Sequence, residues 1–306
     1  MTIAFVHRNK AFLPEIEAYT RFFSGLGVEC IAITKEEADR FRPEVEWRMM
    51  GFDGSKPRAG IAKIHEYASA SLPPGRYFKN LRKSLFNAQP DFRLFLNEYV
   101  RKTFNFRDKV PFGYRDMGIP PEWLFPPTRP VTKTYDFVYA GSLDKVRNPE
   151  HLLNQFSTGA LKDRSLLLIS QHYEALRVQY AAHENIVFKG PFEHREMRHH
   201  LNQARFGINY IVDQEPFNQQ TSTKFLEYLA CGLPVVSTDY QWVRDFQRQY
   251  GGAYFFVSPD LTGMNWESIC LFNYTQADMR LWTWERQIRA SGVLEFLKMK
   301  KTIGEL

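Results

Sequence analysis

The feature that most constrains this chain is the alternation of short apolar runs with segments of helical period, repeated in two series. Ile3-Ala4-Phe5-Val6 reads as a buried strand, followed by a helix from about Pro14 to Leu26 and a strand from Val28 to Ile33. Residues 62–70 read as a helix, 76–86 as a basic amphipathic helix, and Phe92 to Leu96 as a strand ending at Asn97. Prolines then crowd (Pro111, Pro120, Pro121, Pro126, Pro127, Pro130) and periodicity stops, as in a connector. A second series opens with the strand Tyr135 to Ala140 and turns at Gly141-Ser142 into a helix around Pro149 to Phe156. It continues through strands at 165–169, 186–188, 206–211 and 234–237, with helices near 173–183, 194–204 and 223–230. Alternation of this kind predicts parallel sheets covered on both faces, and 306 residues suffice for two such domains. The expected division is 1–130 and 131–306.

Several classes fall away. The N-terminus MTIAFVHRNKAF has too short an apolar run for a signal peptide or a membrane span, so a cytoplasmic site of action is expected. Cys30, Cys231 and Cys270 are widely separated and odd in number, which gives neither a disulfide framework nor a zinc cluster. His194, His199 and His200 lie among Glu193, Arg195 and Arg198 without a completing ligand, so no metal site is expected there. A dinucleotide-dependent oxidoreductase would need Gly-x-Gly-x-x-Gly after a strand, and neither β-α turn has it.

The chemistry concentrates in Asn218 to Asp239, NQQTSTKFLEYLACGLPVVSTD. Parallel sheets bind ligands beyond the carboxyl ends of their strands, where helix N-termini present free N–H groups and a positive dipole end. Here a polar loop leads into Thr221-Ser222-Thr223, which can cap a helix and contact anion oxygens, with Lys224 adding a full charge. Glu227 stands one turn beyond Thr223, and a carboxylate can accept hydrogen bonds from two vicinal hydroxyls. Gly232 suits the end of that helix.

The run Thr223-Lys224-Phe225-Leu226-Glu227-Tyr228-Leu229-Ala230-Cys231-Gly232-Leu233-Pro234-Val235-Val236 resembles the donor-site signature of retaining glycosyltransferases of the group 1, or family 4, type. Tyr139-Ala140-Gly141-Ser142, Phe188 to Phe192 and Trp284-Glu285-Arg286 resemble segments at corresponding places in that family. The resemblance implies an α/β GT-B architecture: two facing Rossmann-like domains with parallel sheets and a C-terminal helix crossing back to the first. It implies that Glu227 binds the nucleotide ribose, that Lys224 and the backbone of Thr221 to Thr223 meet the diphosphate, and that Lys145 or Arg147 also grips phosphate. Gly141 and Ser142 join the donor site, and Gly190 to Phe192 lie near the base. Where many members have a sugar-binding glutamate, this chain has Gln219, with Glu215 four residues earlier. The first domain shows His7-Arg8-Asn9-Lys10 in place of the Gly-Gly loop of many relatives, so its acceptor residues do not carry over. His7, Arg8, Asn97 and Glu98 are acceptor candidates from their positions at strand ends.

The resemblance further implies metal-independent transfer, with retention, from a UDP- or GDP-linked sugar to a saccharide or lipid-linked saccharide, as in surface polysaccharide or glycoconjugate assembly. No Asp-x-Asp pair occurs, so cationic side chains must meet the diphosphate charge, and no cofactor is expected. Loss of the upstream glutamate also fits a non-catalytic partner subunit of the same fold. From Arg76 to Lys109 nine Lys or Arg face three acids, a difference equal to the net charge of +6. With no recognition motif for nucleic acid, Arg76, Lys79, Arg82 and Lys83 beside Tyr77, Phe78, Leu81 and Phe86 point to an anionic membrane surface.

Overall fold

The computed structural model describes residues 1–8, 13–49, 51–125 and 131–300. It divides into two compact units, Met1–Pro120 with Trp282–Leu306, and Pro121–Leu281. The C-terminal segment thus returns to the first unit. Pro126 to Pro130, where the sequence places the boundary, lie outside the described residues, as do Asn9 and Lys10.

Unit 1 holds strands β1 (Thr2–His7), β2 (Glu29–Thr34), β3 (Val45–Met49), β4 (Ala62–Tyr67), β5 (Phe92–Phe95) and β6 (Phe112–Tyr114), all parallel in the order β2-β1-β3-β4-β5-β6. Its helices are α1 (Pro14–Ser24), α2 (Lys35–Ala38), α3 (Arg76–Phe86) and α4 (Glu98–Phe104), joined by the C-terminal α11 (Trp284–Ala290) and α12 (Val293–Met299). Phe5, Tyr19, Phe23, Trp47 and Leu94 form one core with Ile288, Phe296 and Leu297, so the C-terminal helices complete it. The rings of Phe92 and Phe296 stack at 4.9 Å.

The helix expected over 62–70 is instead β4, a central strand between β3 and β5. Lys63, His65 and Glu66 break its apolar run, and Glu46 and Arg48 do the same in β3, which has no strand signature in the sequence. All five are buried because they neutralise one another or nearby groups. Asp53 meets Arg48 at 3.1 Å, Lys63 at 3.3 Å and His65 at 3.0 Å. Burial acts to raise the Asp53 carboxyl, but hydrogen bonds from His65 and Ser55 and the Arg48 charge outweigh it and hold it far below the usual range. Glu66 accepts from Trp47 Nε1 at 2.7 Å and Tyr19 OH at 3.1 Å, and pairs with the Arg115 guanidinium.

Unit 2 holds β7 (Tyr135–Ala140), β8 (Leu166–Ile169), β9 (Ile186–Lys189), β10 (Ala204–Asn209), β11 (Val235–Thr238) and β12 (Phe255–Val257), again all parallel, in the order β12-β11-β10-β7-β8-β9. Helices α5 (Pro149–Ser157), α6 (Glu174–Gln179), α7 (His194–Asn202), α8 (Thr223–Ala230), α9 (Gln241–Tyr250) and α10 (Trp266–Leu271) connect or follow the strands. The strand order reverses between β7 and β10, and ligands in such sheets bind beyond the carboxyl ends of the strands at that switch point. No described helix is long and apolar enough to cross a membrane.

The buried Arg115 gives a stability prediction. Arg115→Leu strips the cation from Glu66 and from Glu15, 3.8 Å away, and is expected to cost about 3–5 kcal/mol. Tyr19→Phe removes only hydrogen-bonding partners of those groups and should cost about 1 kcal/mol. Guanidinium unfolding of both variants measures the contrast, which disappears if the ion network contributes nothing.

Candidate functional site

The helix α8 begins where the sequence places it and is fixed at both ends. Ser222 is its N-cap: its Oγ accepts from Phe225 N at 3.4 Å and donates to Asn209 Oδ1 at 2.7 Å. The Asn209 amide in turn donates to Ser237 Oγ at 2.9 Å and Tyr240 OH at 3.1 Å, tying the cap to β10, β11 and the start of α9. At the other end Gly232 sits at φ +71°, Gly232 N donates to Leu229 O and Leu233 N to Tyr228 O, both at 2.9 Å. This Schellman closure favours glycine, which alone takes that conformation without a Cβ penalty.

Every residue of α8 after Thr223 is buried, Lys224 and Glu227 among them at 8% exposure each. An exposed helical ion pair is therefore not what these two residues form. Lys224 Nζ donates to Tyr210 O at 3.3 Å and lies 4.9 Å from the centre of the Tyr139 ring. Tyr139 lies in β7 and Tyr210 immediately follows β10, so the amine sits at the switch point of the sheet. Gly141, at φ +153°, makes room for it: a Cβ there would come within 3.2 Å of Lys224 Cε. Burial, reinforced by the Arg147 charge and only partly offset by Glu227, holds the Lys224 amine well below the ordinary lysine value.

Arg147 follows β7 in a short 3-10 turn with Lys145, and its guanidinium lies 4.7 Å from the Phe217 ring. Phe217 opens the turn that carries Gln219, so Arg147 and the Gln219 turn are neighbours. Gln219 is half-buried and Glu215 exposed. Lys145 is also exposed, and Ser142 Oγ donates to the Asp144 carboxylate. Of the two cations weighed after β7, Arg147 is thus the one coupled to Lys224.

Glu227 meets a residue that sequence reasoning treated only as a poor metal ligand. His194 Nε2, at the start of α7, lies 3.1 Å from Glu227 Oε1, and its ring packs on Trp123 with centroids 5.0 Å apart. A separation of 33 residues gives no periodic signal for this contact, and Trp123 sits in the proline-rich connector. Among the described residues no group of three His, Cys, Asp or Glu could hold a metal.

Gly190 sits at φ +104° with Ser170 O only 2.9 Å from where a Cβ would be, and the Phe192 ring stacks on His200 at 3.6 Å. Both belong to unit 2. The acceptor candidates lie in unit 1. Asn97 caps α4, its Oδ1 accepting from Val100 N at 3.0 Å, and Glu98 is 61% exposed in an ion pair with Lys102 at 3.0 Å. Those contacts account for both residues as helix-start chemistry. His7 and Arg8 line a crevice with Lys35, Arg48 and Phe52 at the carboxyl ends of β1 and β3, the switch point of that sheet, and Arg8 donates to Phe52 O.

Residues 134–264 match the family model described as glycosyl transferases group 1. No curated protein sequence matches the chain. Among solved structures, sucrose-phosphate synthase from Thermosynechococcus elongatus is similar at 11% identity and a TM-score of 0.64, covering 98% of each chain. HepE from Anabaena, solved in complex with UDP-glucose, is similar at 10% identity and 0.61, covering 99% of this chain and 98% of that one. The UDP-GlcNAc 2-epimerase of Methanocaldococcus jannaschii, in complex with UDP-GlcNAc and UDP, is similar at 10% and 0.56, covering 98% and 100%. Identities this low show a shared fold. The chain has the GT-B fold of these structures, and its residues 134–264 are similar to the glycosyl transferases group 1 family.

Proposed function

We propose that this protein moves a sugar from a UDP- or GDP-linked donor to a saccharide or lipid-linked saccharide acceptor, with retention of configuration and without a metal, in the assembly of a surface polysaccharide or glycoconjugate. The observation that carries the proposal is the burial of Lys224 beside Arg147 and Glu227 at the switch point of unit 2. A buried amine next to a guanidinium is an unfavourable arrangement that an anion relieves. A diphosphate has the charge to do so, and the N–H groups from Thr221 to Thr223 at the start of α8 add their dipole. Glu227 Oε2, which the His194 contact leaves unused, takes the ribose hydroxyls. Gly190 and Phe192 border the base, and Gln219 or Glu215 reaches the sugar. His7 and Arg8 serve the acceptor.

In the transfer step the acceptor hydroxyl attacks the anomeric carbon on the face from which the nucleoside diphosphate departs. The new glycosidic bond forms as the carbon–oxygen bond to phosphate breaks, and the hydroxyl proton passes to the departing phosphate oxygen. Lys224 and Arg147 stabilise the charge that develops on that oxygen. HepE was solved with UDP-glucose, which supports a nucleotide sugar as ligand. The substitution of Gln219 for a common glutamate favours, as a second reading, a partner subunit that binds nucleotide without turning it over.

A thermal-shift screen of UDP, GDP, ADP and dTDP should show UDP or GDP raising the melting temperature by about 5 °C or more at a hundredfold excess over Kd. Glu227→Ala and Lys224→Ala should abolish the rise. Stabilisation by none of the four, or unchanged responses in both variants, sinks the site assignment. Binding without transfer or hydrolysis of the matching sugar nucleotides selects the partner-subunit reading. Product configuration by NMR and turnover in the presence of EDTA test retention and metal independence.

The depressed Lys224 amine yields two further expectations. Its folded-state value lies below the unfolded value of about 10.4, so its penalty on stability is present at neutral pH and fades as pH rises toward that value. Lys224→Met should therefore raise apo-protein stability by about 1 kcal/mol at neutral pH while losing the nucleotide response. Bound diphosphate favours the charged amine, so affinity should fall as pH rises through the alkaline range above the depressed folded-state value, and binding in that range should take up a proton. Calorimetric titration in two buffers of different ionisation enthalpy measures that uptake; identical heats would refute it.

A further inference from the structure

The helix α3 is built inside out. Its one buried residue is Asn80, 2% exposed, whose Oδ1 accepts from Ser71 N at 3.1 Å. Five large apolar residues face outward instead: Phe78 at 80% exposure, Tyr77 at 69%, Leu85 and Phe86 at 65% and Leu81 at 54%. At 100° per residue Tyr77, Leu81, Leu85 and Phe78 fall within one arc of about 100°, with Phe86 about 80° beyond one edge and Asn80 about 60° outside the other. A helix that packs by its apolar stripe would show the reverse. An apolar arc of this size on one 11-residue helix marks a surface with a partner.

Charge identifies the partner. The helix RYFKNLRKSLF has no acid, and its exposed cations, Lys79 and Arg82, flank the apolar arc on one side. Lys79 Nζ donates to Leu72 O at 3.2 Å and Arg82 lies 4.8 Å from the Phe52 ring centre, both remaining exposed, whereas Lys83 is half-buried, its Nζ donating to Ser71 Oγ at 3.0 Å and lying 5.5 Å from the Phe104 ring centre. Arg76 is half-buried, donating to Tyr77 OH at 2.6 Å. Of the four cations expected to face a membrane, Lys79 and Arg82 are the exposed ones. A second copy of the chain would bring Lys79 and Arg82 against the same cations, whereas an anionic bilayer takes aromatics at the headgroup level and cations at the phosphates.

We propose that α3 is a membrane-docking helix that lies in the interface of an anionic bilayer, with Tyr77, Phe78, Leu81 and Leu85 inserted and Lys79 and Arg82 on lipid headgroups. This does not rest on the glycosyl-transfer reading, because binding is measured without nucleotide. The full chain is sedimented with vesicles of phosphatidylcholine alone and of phosphatidylcholine with phosphatidylglycerol. Wild type should pellet with the anionic vesicles, less so in high salt. Lys79→Glu with Arg82→Glu should cut the partition coefficient on the order of fivefold or more for each cation. Phe78→Ser with Leu81→Ser should remove binding even at low salt. All four residues are exposed, so both variants should keep the wild-type melting temperature, which verifies folding. Failure of wild type to bind, equal binding to both vesicle types, or unchanged binding by either folded variant overturns the proposal. So does a dimer of wild type in solution that Phe78→Ser with Leu81→Ser dissolves.

Discussion

Two charges on one buried helix govern unit 2. Lys224 and Glu227 lie on α8 among residues excluded from water, and each draws a different surrounding. Around the lysine, β7 stops at a glycine that leaves space for its side chain, Tyr139 presents a ring face and Tyr210 a carbonyl. Around the glutamate, a histidine from α7 fixes one carboxylate oxygen. A fixed carboxylate edge recognises a diol with little loss of freedom on binding.

The two units treat buried charge differently. In unit 1 each acid in the sheet centre has a cation beside it: Asp53 has Arg48 and Lys63, Glu46 has Arg48 and Arg58, Glu66 has Arg115. Such closed networks hold strands in register and ask for nothing from outside. In unit 2 the strongest charge effect on Lys224 comes from like-signed Arg147, and the protein leaves that imbalance standing. Functional sites are where such imbalances are tolerated.

This contrast also explains what the sequence made legible. The start of α8, its glycine stop and the strands of unit 2 were readable because local rules and the global fold agree there: apolar runs in β7 and β8, a capping serine, Gly232 at positive φ. In unit 1 they conflict. β3 and β4 carry charges that look like surface residues, and only their pairing in three dimensions makes them core. The pattern over 62–70 therefore predicts a helix. His194 is unreadable as the partner of Glu227 for a different reason, since the contact joins the start of one helix to the second turn of another with no shared period. For α3 composition shows a basic and apolar helix but not the directions of its side chains, which depend on Asn80 facing inward.

Gly207 is a residue with no chemistry of its own. It lies in β10 where any Cβ would come within 2.5 Å of the Tyr228 ring, and Tyr228 reaches across to accept a hydrogen bond from Ala140 N at 2.8 Å. The last residue of β7 is thus held by a side chain of α8. That fixes how deeply the helix sits against the sheet, and with it the distance from Lys224 to the glycine after β7. The seat of α8 is thus set by a missing methyl group in β10, and evolution toward a bulkier residue at 207 would have to shift the helix, and Lys224 with it.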